Sequence, residues 1–378
     1  MSTPRPLIVL AAGGTGGHVF PAEALAAELL ARNCRLTLVT DKRGGTYGGS
    51  LGEIETHHIL AGGVAGKSFV ARLRSAPELA CGTWQARGLL KRLKPAAVIG
   101  FGGYASVPTM LAATFAGFST AIHEQNGVLG RANRLLASRV GRIATSFESV
   151  LGLPDAAASK VVHTGMPVRP AIAEMRDTAY PSITADDPIN LLVLGGSQGA
   201  RVLSDVVPQA IGLLEEKLRK RLSITQQCRP EDLRRVKDVY SGLGVAADLN
   251  SFFGDVPQRL AAAHLVISRA GASTVAEVTA VGRPSILVPY PYAIDDHQSA
   301  NAHAVDEVGA GWLIAEPSFT AEYLAARLDS LFGLPAILER SAASARKAGR
   351  PDASARLADM VTGMLPSNGT PEMGRRAA

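Results

Sequence analysis

The sequence predicts an α/β protein of two similar domains, each built on a parallel sheet, that face each other across a cleft. Short apolar runs alternate with helix-forming segments along the whole chain, which is typical of parallel sheets covered by helices. The order apolar run, glycine-rich loop and helix opens each half, and a length of 378 residues suits about two domains. Ligands of such sheets bind beyond the carboxyl ends of the strands. We therefore expect the glycine loops to line the cleft.

In the first half we expect alternating strands and helices up to a crossing between the domains at residues 165–170. Strands are expected at residues 7–12, 35–40, 96–100, 120–123, 142–146 and 161–164, and helices at 21–32 and 106–118. Pro21 favours a helix that begins at this residue, because proline fits the first helical position.

The alternation restarts after a polar, proline-containing loop at residues 178–188. Strands are expected at 189–194, 223–227, 264–268 and 285–288, and helices from the third glycine loop to about 217 and at 274–281, 297–308 and 320–331. A last amphipathic helix is expected from Pro351 to about residue 364. We expect an N-terminal domain of residues 1–168, a C-terminal domain of 169–347, a segment 348–365 that packs back on the N-terminal domain, and a disordered tail at 366–378.

Three glycine-rich loops organise the chain, at residues 13–18, 100–104 and 195–199. Glycine lets the backbone turn tightly and lets a ligand approach closely. A helix that starts after such a loop offers free N–H groups and the positive end of its dipole to a phosphate. Three such places predict a protein that handles more than one phosphorylated ligand.

Composition and cysteine usage are typical of a globular protein in a reducing compartment. The chain is 47% hydrophobic and 19% charged. Its cysteines, Cys34, Cys81 and Cys228, lie far apart and lack the spacing of metal ligands. The first apolar run is too short for a signal-peptide core, and no run of about 18 apolar residues occurs. We therefore expect a cytosolic protein that can still touch a membrane surface.

The formal net charge of +6 is concentrated in residues 67–94, where seven basic residues face Glu78 alone. Basic and apolar side chains alternate there, which is typical of a surface that binds an anionic membrane. We define the membrane patch as Lys67, Phe69, Arg72, Leu73, Arg74, Trp84, Arg87 and Lys91. The alternative is a solvated basic helix with its apolar side towards the core. Nucleic acid is a weaker candidate partner, because no nucleic-acid module is visible.

Two other nucleotide-binding patterns are incomplete. Gly14-Thr15-Gly16 follows a strand and Asp41 ends the next one, as in a nicotinamide-cofactor site, but position 19 is Val where the third glycine belongs. Residues 66–68 imitate the end of a P-loop, but position 61 is Ala in place of its first glycine. A nicotinamide cofactor and ATP hydrolysis are therefore disfavoured.

Two groups of residues are candidates for chemistry. His18 ends the first glycine loop near a helix N-terminus, where a neutral imidazole can take a proton from a sugar hydroxyl or, alternatively, merely cap the helix. In the second half, Ser273 or Thr274 is expected to cap a helix aimed at a phosphate. Glu277, one turn later, can accept hydrogen bonds from two ribose hydroxyls, or serve only as a dipole-favoured carboxylate. Together with the glycine loops, these residues indicate a nucleotide-sugar.

Several motifs follow one another in a fixed order: segments 13–21, 102–104, 123–126, 195–200 and 269–277, then Asp296, Gln298 and Asn301. Together they resemble the MurG family of bacterial peptidoglycan glycosyltransferases, over about residues 7–362. The resemblance implies a GT-B fold of two Rossmann-like domains. It implies inverting transfer of N-acetylglucosamine from UDP-GlcNAc to the 4-hydroxyl of the MurNAc-pentapeptide of lipid I, giving lipid II. It also implies a peripheral enzyme at the cytoplasmic face of the inner membrane. This enzyme would need no cofactor or metal, and UDP-GlcNAc would be a substrate.

The same resemblance assigns roles to residues. Arg169 and the loop of Ser197 and Gln198 would lie near the donor diphosphate, the backbone at Phe253 would read the uracil, and Glu277 would bind the ribose. The residues around the sugar and phosphates would be Ala272, Ser273, Thr274, Gln298 and Asn126. The acceptor diphosphate would rest against the first two glycine loops, at Gly14, Thr15, Gly16 and Gly17 and at Gly102, Gly103 and Tyr104. His18 is the candidate general base, with Glu124 or a water chain as alternatives.

Two positions depart from the family pattern, and other functions stay open. Met166 stands where the family usually has Asn, and residues 226–229 replace a Gln-Ser/Thr-Gly turn. One alternative is another GT-B enzyme, either a glycolipid synthase or a UDP-GlcNAc 2-epimerase, although an epimerase has no use for a membrane patch. Another is a peripheral-membrane scaffold that binds the nucleotide as a signal. Measuring UDP release with and without lipid I distinguishes these hypotheses.

Overall fold

The computed structural model describes residues 5–13, 16–41, 49–62, 69–184, 187–196 and 199–365, and of residues 69–76 only the backbone. It contains two parallel sheets. The first has seven strands in the order β3-β2-β1-β4-β5-β6-β7. They are β1 (Leu7–Ala11), β2 (Arg35–Asp41), β3 (Glu55–Ile59), β4 (Ala97–Gly100), β5 (Thr120–Glu124), β6 (Arg142–Thr145) and β7 (Val161–His163).

The second sheet has six strands in the order β10-β9-β8-β11-β12-β13. They are β8 (Ile189–Leu194), β9 (Leu222–Gln227), β10 (Ala246–Asn250), β11 (Leu265–Ser268), β12 (Ser285–Leu287) and β13 (Gly311–Leu313). The central strands β1, β4, β8 and β11 are buried almost throughout, because helices cover both faces of each sheet. The two-domain α/β architecture predicted from the alternation is confirmed.

Helices connect the strands and form the outer layers. In the first half they are α1 (Gly16–Ala31), α2 (Gly49–Gly52), α3 (Phe69–Leu93), α4 (Gly103–Phe115), α5 (Arg131–Leu136) and α6 (Pro170–Ala173). In the second half they are α7 (Arg201–Leu213), α8 (Glu216–Arg219), α9 (Leu233–Gly242), α10 (Val256–Ala262), α11 (Ala272–Val281), α12 (His297–Glu307), α13 (Ala321–Gly333), α14 (Pro335–Ala348) and α15 (Ala353–Thr362).

The strand orders explain where the glycine loops lie. In the first sheet the order reverses between β1 and β4, and in the second between β8 and β11. Crossovers from such neighbouring strands leave in opposite directions, which opens a crevice beyond their carboxyl ends. The first and second glycine loops follow β1 and β4, and the third follows β8. Each glycine loop therefore borders the crevice of its own sheet.

The last helix returns to the first domain. Leu357 and Val361 of α15 belong to the same buried cluster as Leu25 and Leu29 of α1. Arg32, just beyond α1, donates to Asp359 at 2.6 Å and to the carbonyl oxygen of Ala355 at 3.1 Å. The predicted tail at 366–378 lies outside the described residues.

Several predicted boundaries were wrong. Helix α1 begins at Gly16, so Pro21 lies inside it and His18 sits in its first turn. Helix α4 likewise begins at Gly103 and contains Pro108. Each proline is the sixth residue of its helix, so it removes one intrahelical hydrogen bond just beyond the first turn.

The elements missing from the prediction are mostly at sheet edges or outside the sheets. The missed strands β3, β10 and β13 are three of the four outermost strands, and the fourth, β7, was predicted. The sequences of β3 and β10 are polar, as edge strands often are, so they do not form the apolar runs on which strand prediction depends. Helix α14 was also missed, and α3 was foreseen only as a basic stretch.

Candidate active site

Asn301 of α12 joins the two domains through a buried side chain. Its Oδ1 accepts a hydrogen bond from the backbone N–H of Gly127 at 2.7 Å. Its Nδ2 donates to the carbonyl oxygen of Ala270 at 3.0 Å and to Oδ1 of Asn126 at 3.2 Å. One amide thus fixes the loop after β5 against the loop after β11, where the two crevices meet.

A second contact between the domains lies nearer the solvent. The guanidinium of Arg131 donates to both carboxylate oxygens of Asp295, at 2.8 and 3.1 Å. Hydrogen bonding to Arg131 lowers the pKa of Asp295, so this carboxylate stays ionised. Asp295 has a φ of 53°, a left-handed conformation that Asp tolerates better than most residues.

A cavity of about 320 Å³ lies beneath these contacts. Its walls come from α1, the start of α4, the loop after β5, the start of α5 and the loop before α12. The polar lining residues are His18, Tyr104, Glu124, Gln125, Asn126, Arg131, Asn133, Asp295 and His297. The sequence-predicted residues His18, Gly102, Gly103, Tyr104 and Asn126 are therefore brought together.

His18 is held from two sides. Its Nδ1 lies 3.2 Å from Oε1 of Gln125. On the other side the ring lies against the second glycine loop, where a Cβ at Gly103 would be 3.2 Å from Cδ2 of His18. Gly102 and Gly103 both have positive φ, 78° and 67°, so glycine is required for the turn as well as for the space.

His123 lies behind Gln125, fully buried at the end of β5. Its Nδ1 is 3.1 Å from Nε2 of Gln125, and its Nε2 is 3.4 Å from the carbonyl oxygen of Gly165. Burial lowers the pKa of His123 to about 4, because desolvation disfavours the charged ring. His123 is therefore neutral at neutral pH and pairs with Gln125 as an uncharged group.

The carboxylate of Glu124 is already fully engaged. Its Oε1 accepts from the backbone N–H of Asn126 at 3.1 Å. Its Oε2 accepts from the backbone N–H of Gly130 at 2.9 Å and from Nδ2 of Asn133 at 2.8 Å. Three protein donors therefore occupy the two oxygens that a substrate hydroxyl would have to approach. The evident role of Glu124 is to shape the loop that lines the cavity.

On the other face of the cleft, Arg169 and Glu277 form a bidentate ion pair. Nε and one terminal nitrogen of Arg169 lie 2.9 and 3.1 Å from the two oxygens of Glu277. The Arg169 side chain is half exposed, at 50%. The two residues that the resemblance assigned to the donor diphosphate and ribose are thus neighbours.

The start of α11 differs from the prediction. Gly271 is the N-cap residue and no side chain caps the helix, so the expected cap by Ser273 or Thr274 was wrong. These two residues and Ala272 instead form the first turn, and Glu277 lies further along the same helix. The free N–H groups of this turn remain available to an anion.

Among the other donor residues predicted in the second half, the structure describes Phe253 and Gln298. Phe253 is buried, and the guanidinium of Arg259 lies 4.2 Å from its ring centre. Oε1 of Gln298 accepts from the backbone N–H of Tyr290 at 3.0 Å, which fixes the loop before α12. Four of the residues predicted for the cleft lie outside the described part of the chain: Gly14, Thr15, Ser197 and Gln198. Gly16 and Gly17 open α1 and are exposed.

The two departures from the family pattern have structural explanations. Met166 is buried, and its sulfur lies 3.6 Å from the hydroxyl of Ser146, which is a weak hydrogen bond. Gln226 is buried and accepts from the hydroxyl of Tyr240 at 2.7 Å. A Cβ at Gly199 would come within 2.4 Å of Cγ of Arg229, so residues 226–229 pack directly against the third glycine loop.

Part of the membrane patch is visible on α3. Trp84, Arg87 and Lys91 are exposed and, at this helical spacing, share one face, while Ala86 and Leu90 point into the core. The side chains of Phe69, Arg72, Leu73 and Arg74, and the whole of Lys67, lie outside the described residues. Among the described helices, none is both long and apolar enough to cross a membrane.

The sequence analysis did not find the roles of Gln125, Asn133, Arg131 and Asp295. The available signal was the run of polar residues 123–126 directly after a buried strand, which predicts side chains in the crevice but not their partners. In the described part of the chain, no group of three or more His, Cys, Asp or Glu side chains is placed to hold a metal ion.

The fold and site define a glycosyltransferase. Residues 8–145 match the glycosyltransferase family 28 N-terminal domain, and residues 190–357 match the family 28 C-terminal domain. The structure of MurG from Acinetobacter baumannii superposes with a TM-score of 0.78 at 30% identity, covering 95% of this chain and all of that one.

The curated relatives give a narrower family. A protein of Paramagnetospirillum magneticum is 64% identical over 97% of this chain and 99% of its own length. One of Rhodospirillum rubrum is 57% identical over 94% of this chain and 91% of its own. Both are named UDP-N-acetylglucosamine–N-acetylmuramyl-(pentapeptide) pyrophosphoryl-undecaprenol N-acetylglucosamine transferase. The chain belongs to this transferase family, which decides against the epimerase, glycolipid-synthase and scaffold alternatives.

Proposed function

We propose that His18 is the general base of the family reaction in this chain, and that the two faces of the cleft divide the acceptor from the donor. The reaction moves N-acetylglucosamine from UDP-GlcNAc to the 4-hydroxyl of the MurNAc-pentapeptide of lipid I and yields lipid II. UDP-GlcNAc is a substrate and not a cofactor. The observation that carries the proposal is the position of His18 in the cavity wall, hydrogen-bonded through Nδ1 to Gln125.

In the proposed step, the acceptor oxygen attacks the anomeric carbon from the face opposite UDP, and the configuration inverts. The bond from the anomeric carbon to the diphosphate oxygen breaks, and its electron pair leaves with UDP. The proton of the acceptor hydroxyl passes to Nε2 of His18. Glu124 is a weaker candidate, because both of its oxygens already accept hydrogen bonds.

The donor would lie on the C-terminal domain, residues 169–347. Its diphosphate would meet the first turn of α11 at Ala272, Ser273 and Thr274, where free N–H groups favour an anion. The transition state resembles an oxocarbenium ion and the departing UDP gains negative charge. Fixed N–H dipoles and the guanidinium of Arg169 can stabilise that charge.

The remaining donor contacts follow from the same placement. Glu277 would accept from the ribose hydroxyls, and the backbone at Phe253 would read the uracil. Gln298 and Asn126 would lie near the sugar, with Ser197 and Gln198 near the diphosphate. Asn126 is already bonded to Asn301 of the opposite domain, which supports a sugar site where both domains meet.

The acceptor would lie on the N-terminal domain, residues 1–168, with its diphosphate against the first two glycine loops. The contributing residues would be Gly14, Thr15, Gly16, Gly17, Gly102, Gly103 and Tyr104. The start of α4 supports this placement, because Gly103 is its first residue and its free N–H groups face the crevice.

The membrane patch would hold the enzyme at the cytoplasmic face of the inner membrane as a peripheral protein. Its supports are the exposed Trp84 with Arg87 and Lys91 on one helical face, and the lipid of the acceptor. Each Lys or Arg near an anionic surface contributes about 1 kcal/mol. Reversing the charge of Arg87 and Lys91 should reduce sedimentation with anionic liposomes at low salt. Sedimentation equal to the unmodified protein would refute the patch.

The activity test measures UDP release from UDP-GlcNAc with and without a short-chain lipid I analogue, followed by product mass. We expect release only with the analogue and a product heavier by one N-acetylhexosamine. Release without the analogue, or no added hexosamine, would contradict the assignment.

A further inference from the structure

We propose that Gln125 is a positioning residue that places the proton of neutral His18 on Nδ1 and so leaves Nε2 free to accept the proton of the acceptor. This inference rests on the proposed role of His18 and deepens it. It depends on a chain of hydrogen bonds from the cavity wall to the buried end of β5. The chain runs from His18 through Gln125 to the backbone and to His123.

The surroundings of Gln125 settle which end of its amide faces His18. Its Nε2 lies 2.9 Å from the carbonyl oxygen of Phe101 and 3.0 Å from that of His123. Carbonyl oxygens only accept hydrogen bonds, so the group facing them must be the NH₂. The reverse orientation would put the amide oxygen against both carbonyls in a buried place, where unpaired acceptors are costly.

The oxygen of Gln125 therefore faces His18. Amide oxygen is an acceptor only, so the bond at 3.2 Å forms when Nδ1 of His18 carries a hydrogen. A neutral imidazole carries one N–H, and the hydrogen bond at one nitrogen decides the state of the other. Nε2 of His18 is then unprotonated, as a general base requires.

His123 supports the same arrangement from behind. Its Nδ1 lies 3.1 Å from Nε2 of Gln125, and its Nε2 lies 3.4 Å from the carbonyl oxygen of Gly165. A carbonyl oxygen only accepts, so this contact is a hydrogen bond when the single N–H of a neutral His123 is on Nε2, and its Nδ1 then faces the amide as an acceptor. Three acceptors thus surround the NH₂ of Gln125, and rotation of the amide would face all of them with an oxygen.

The proton position can be read directly by ¹⁵N NMR of histidine-labelled full-length protein, with the His18 signals assigned through His18→Ala. In the unmodified protein at neutral pH, we expect Nδ1 of His18 to show a directly bonded hydrogen and Nε2 to show none. Gln125→Met fills similar space but offers no acceptor at this position. In that variant we expect a large fraction of His18 to carry its hydrogen on Nε2.

Kinetics with the lipid I analogue should follow the NMR result. We expect Gln125→Met to lower kcat about 100-fold, as the loss of correctly poised base catalysis does. We expect KM for UDP-GlcNAc to change less than about 3-fold, because Gln125 lies among residues of the N-terminal domain. Gln209→Met is the control, since Gln209 is an exposed glutamine of α7, outside the residues assigned to either substrate. It should leave the His18 tautomer and kcat unchanged.

The outcomes separate this inference from the proposed function. An Nε2–H tautomer of His18 in the unmodified protein overturns it, and so does a Gln125→Met tautomer identical to the unmodified one. A changed tautomer with unchanged kcat overturns the positioning role. Absence of transfer by the unmodified protein would instead refute the proposed function, while the NMR measurement would still report on the hydrogen-bond chain.

Discussion

The two faces of the cleft are built differently, although each follows a strand, a glycine loop and a helix. On the N-terminal face, His123, Glu124 and Gln125 are buried and bonded to fixed partners. On the C-terminal face, Arg169 and Glu277 hold each other through a bidentate ion pair in which the Arg169 side chain is half exposed. One face is therefore fixed before any ligand binds, and the other carries an interaction that a ligand can replace.

The difference follows from what each face must do in the proposed reaction. A general base needs one tautomer and one position, and buried hydrogen bonds provide both because the low local dielectric strengthens them. Arg169 is half exposed, so solvent weakens its attraction to Glu277, and ion pairs open to solvent contribute only about 0–1 kcal/mol. Breaking the ion pair therefore costs little free energy, and Arg169 can then bind the diphosphate while Glu277 binds the ribose.

The largest expected effect concerns the fixed face. His18→Ala should lower kcat by about 10²–10⁴-fold, the usual contribution of a positioned base, and leave the Kd of UDP-GlcNAc nearly unchanged. Steady-state turnover with the lipid I analogue and calorimetric titration with the donor measure the two quantities. His303→Ala, an exposed histidine of α12, is the control and should behave like the unmodified protein. Normal turnover at saturation, with weak donor binding, would remove His18 as the base.

The next effect is the pH dependence of stability that His123 contributes. Its pKa is about 4 in the folded protein and about 6.5 when unfolded, so the unfolded chain binds more protons between these values. The stability is fully present above about pH 6.5 and falls by about 3 kcal/mol as the pH approaches 4.

Urea unfolding of the unmodified protein and of His123→Gln between pH 7 and about 4 tests this contribution. The lowered pKa values of His163 and His264 act in the same direction in both proteins, so the difference between the two curves isolates His123. If the free energies of unfolding of the two proteins change equally with pH, His123 does not have the lowered pKa expected of a buried neutral histidine.

The sequence predicts features that depend on neighbouring residues, but not contacts between residues that lie far apart along the chain. The central strands and their glycine loops were predicted because both are local patterns. His123, Glu124 and Gln125 could be located at the end of β5 for the same reason. Their partners could not, because Gln125 meets His18 across 107 positions and Arg169 meets Glu277 across 108. The amide orientation at Gln125 depends on the carbonyl of Phe101, which no side-chain pattern reveals.

A smaller effect is expected on the C-terminal face, where Glu277 pairs with Arg169. Glu277→Ala should weaken UDP-GlcNAc binding by about 10–100-fold, because hydrogen bonds to a charged group contribute about 1.5–3 kcal/mol. Calorimetric titration measures it, and Glu322→Ala, an exposed carboxylate in the first turn of α13, is the control. An unchanged donor Kd would remove Glu277 from the ribose site and leave it as the partner of Arg169 alone.

The smallest effect concerns the contact that joins the two faces, the pair of Arg131 and Asp295. Both side chains are partly exposed, at 54% and 27%, so their coupling in a double-mutant cycle should be small and should decrease with salt. Arg131→Ala and Asp295→Asn are the suitable changes, since Asn tolerates the left-handed backbone of Asp295.

If this pair holds the faces together, its loss should also raise KM for the acceptor analogue by less than about tenfold, whereas kcat at saturation should persist, because the network behind His18 stays intact. The exposed pair of Glu216 and Lys220 on the far helix α8 is the control and should affect unfolding alone. A fall in kcat equal to that of Gln125→Met would contradict the division, because it would show that the fixed face depends on the second domain for its order.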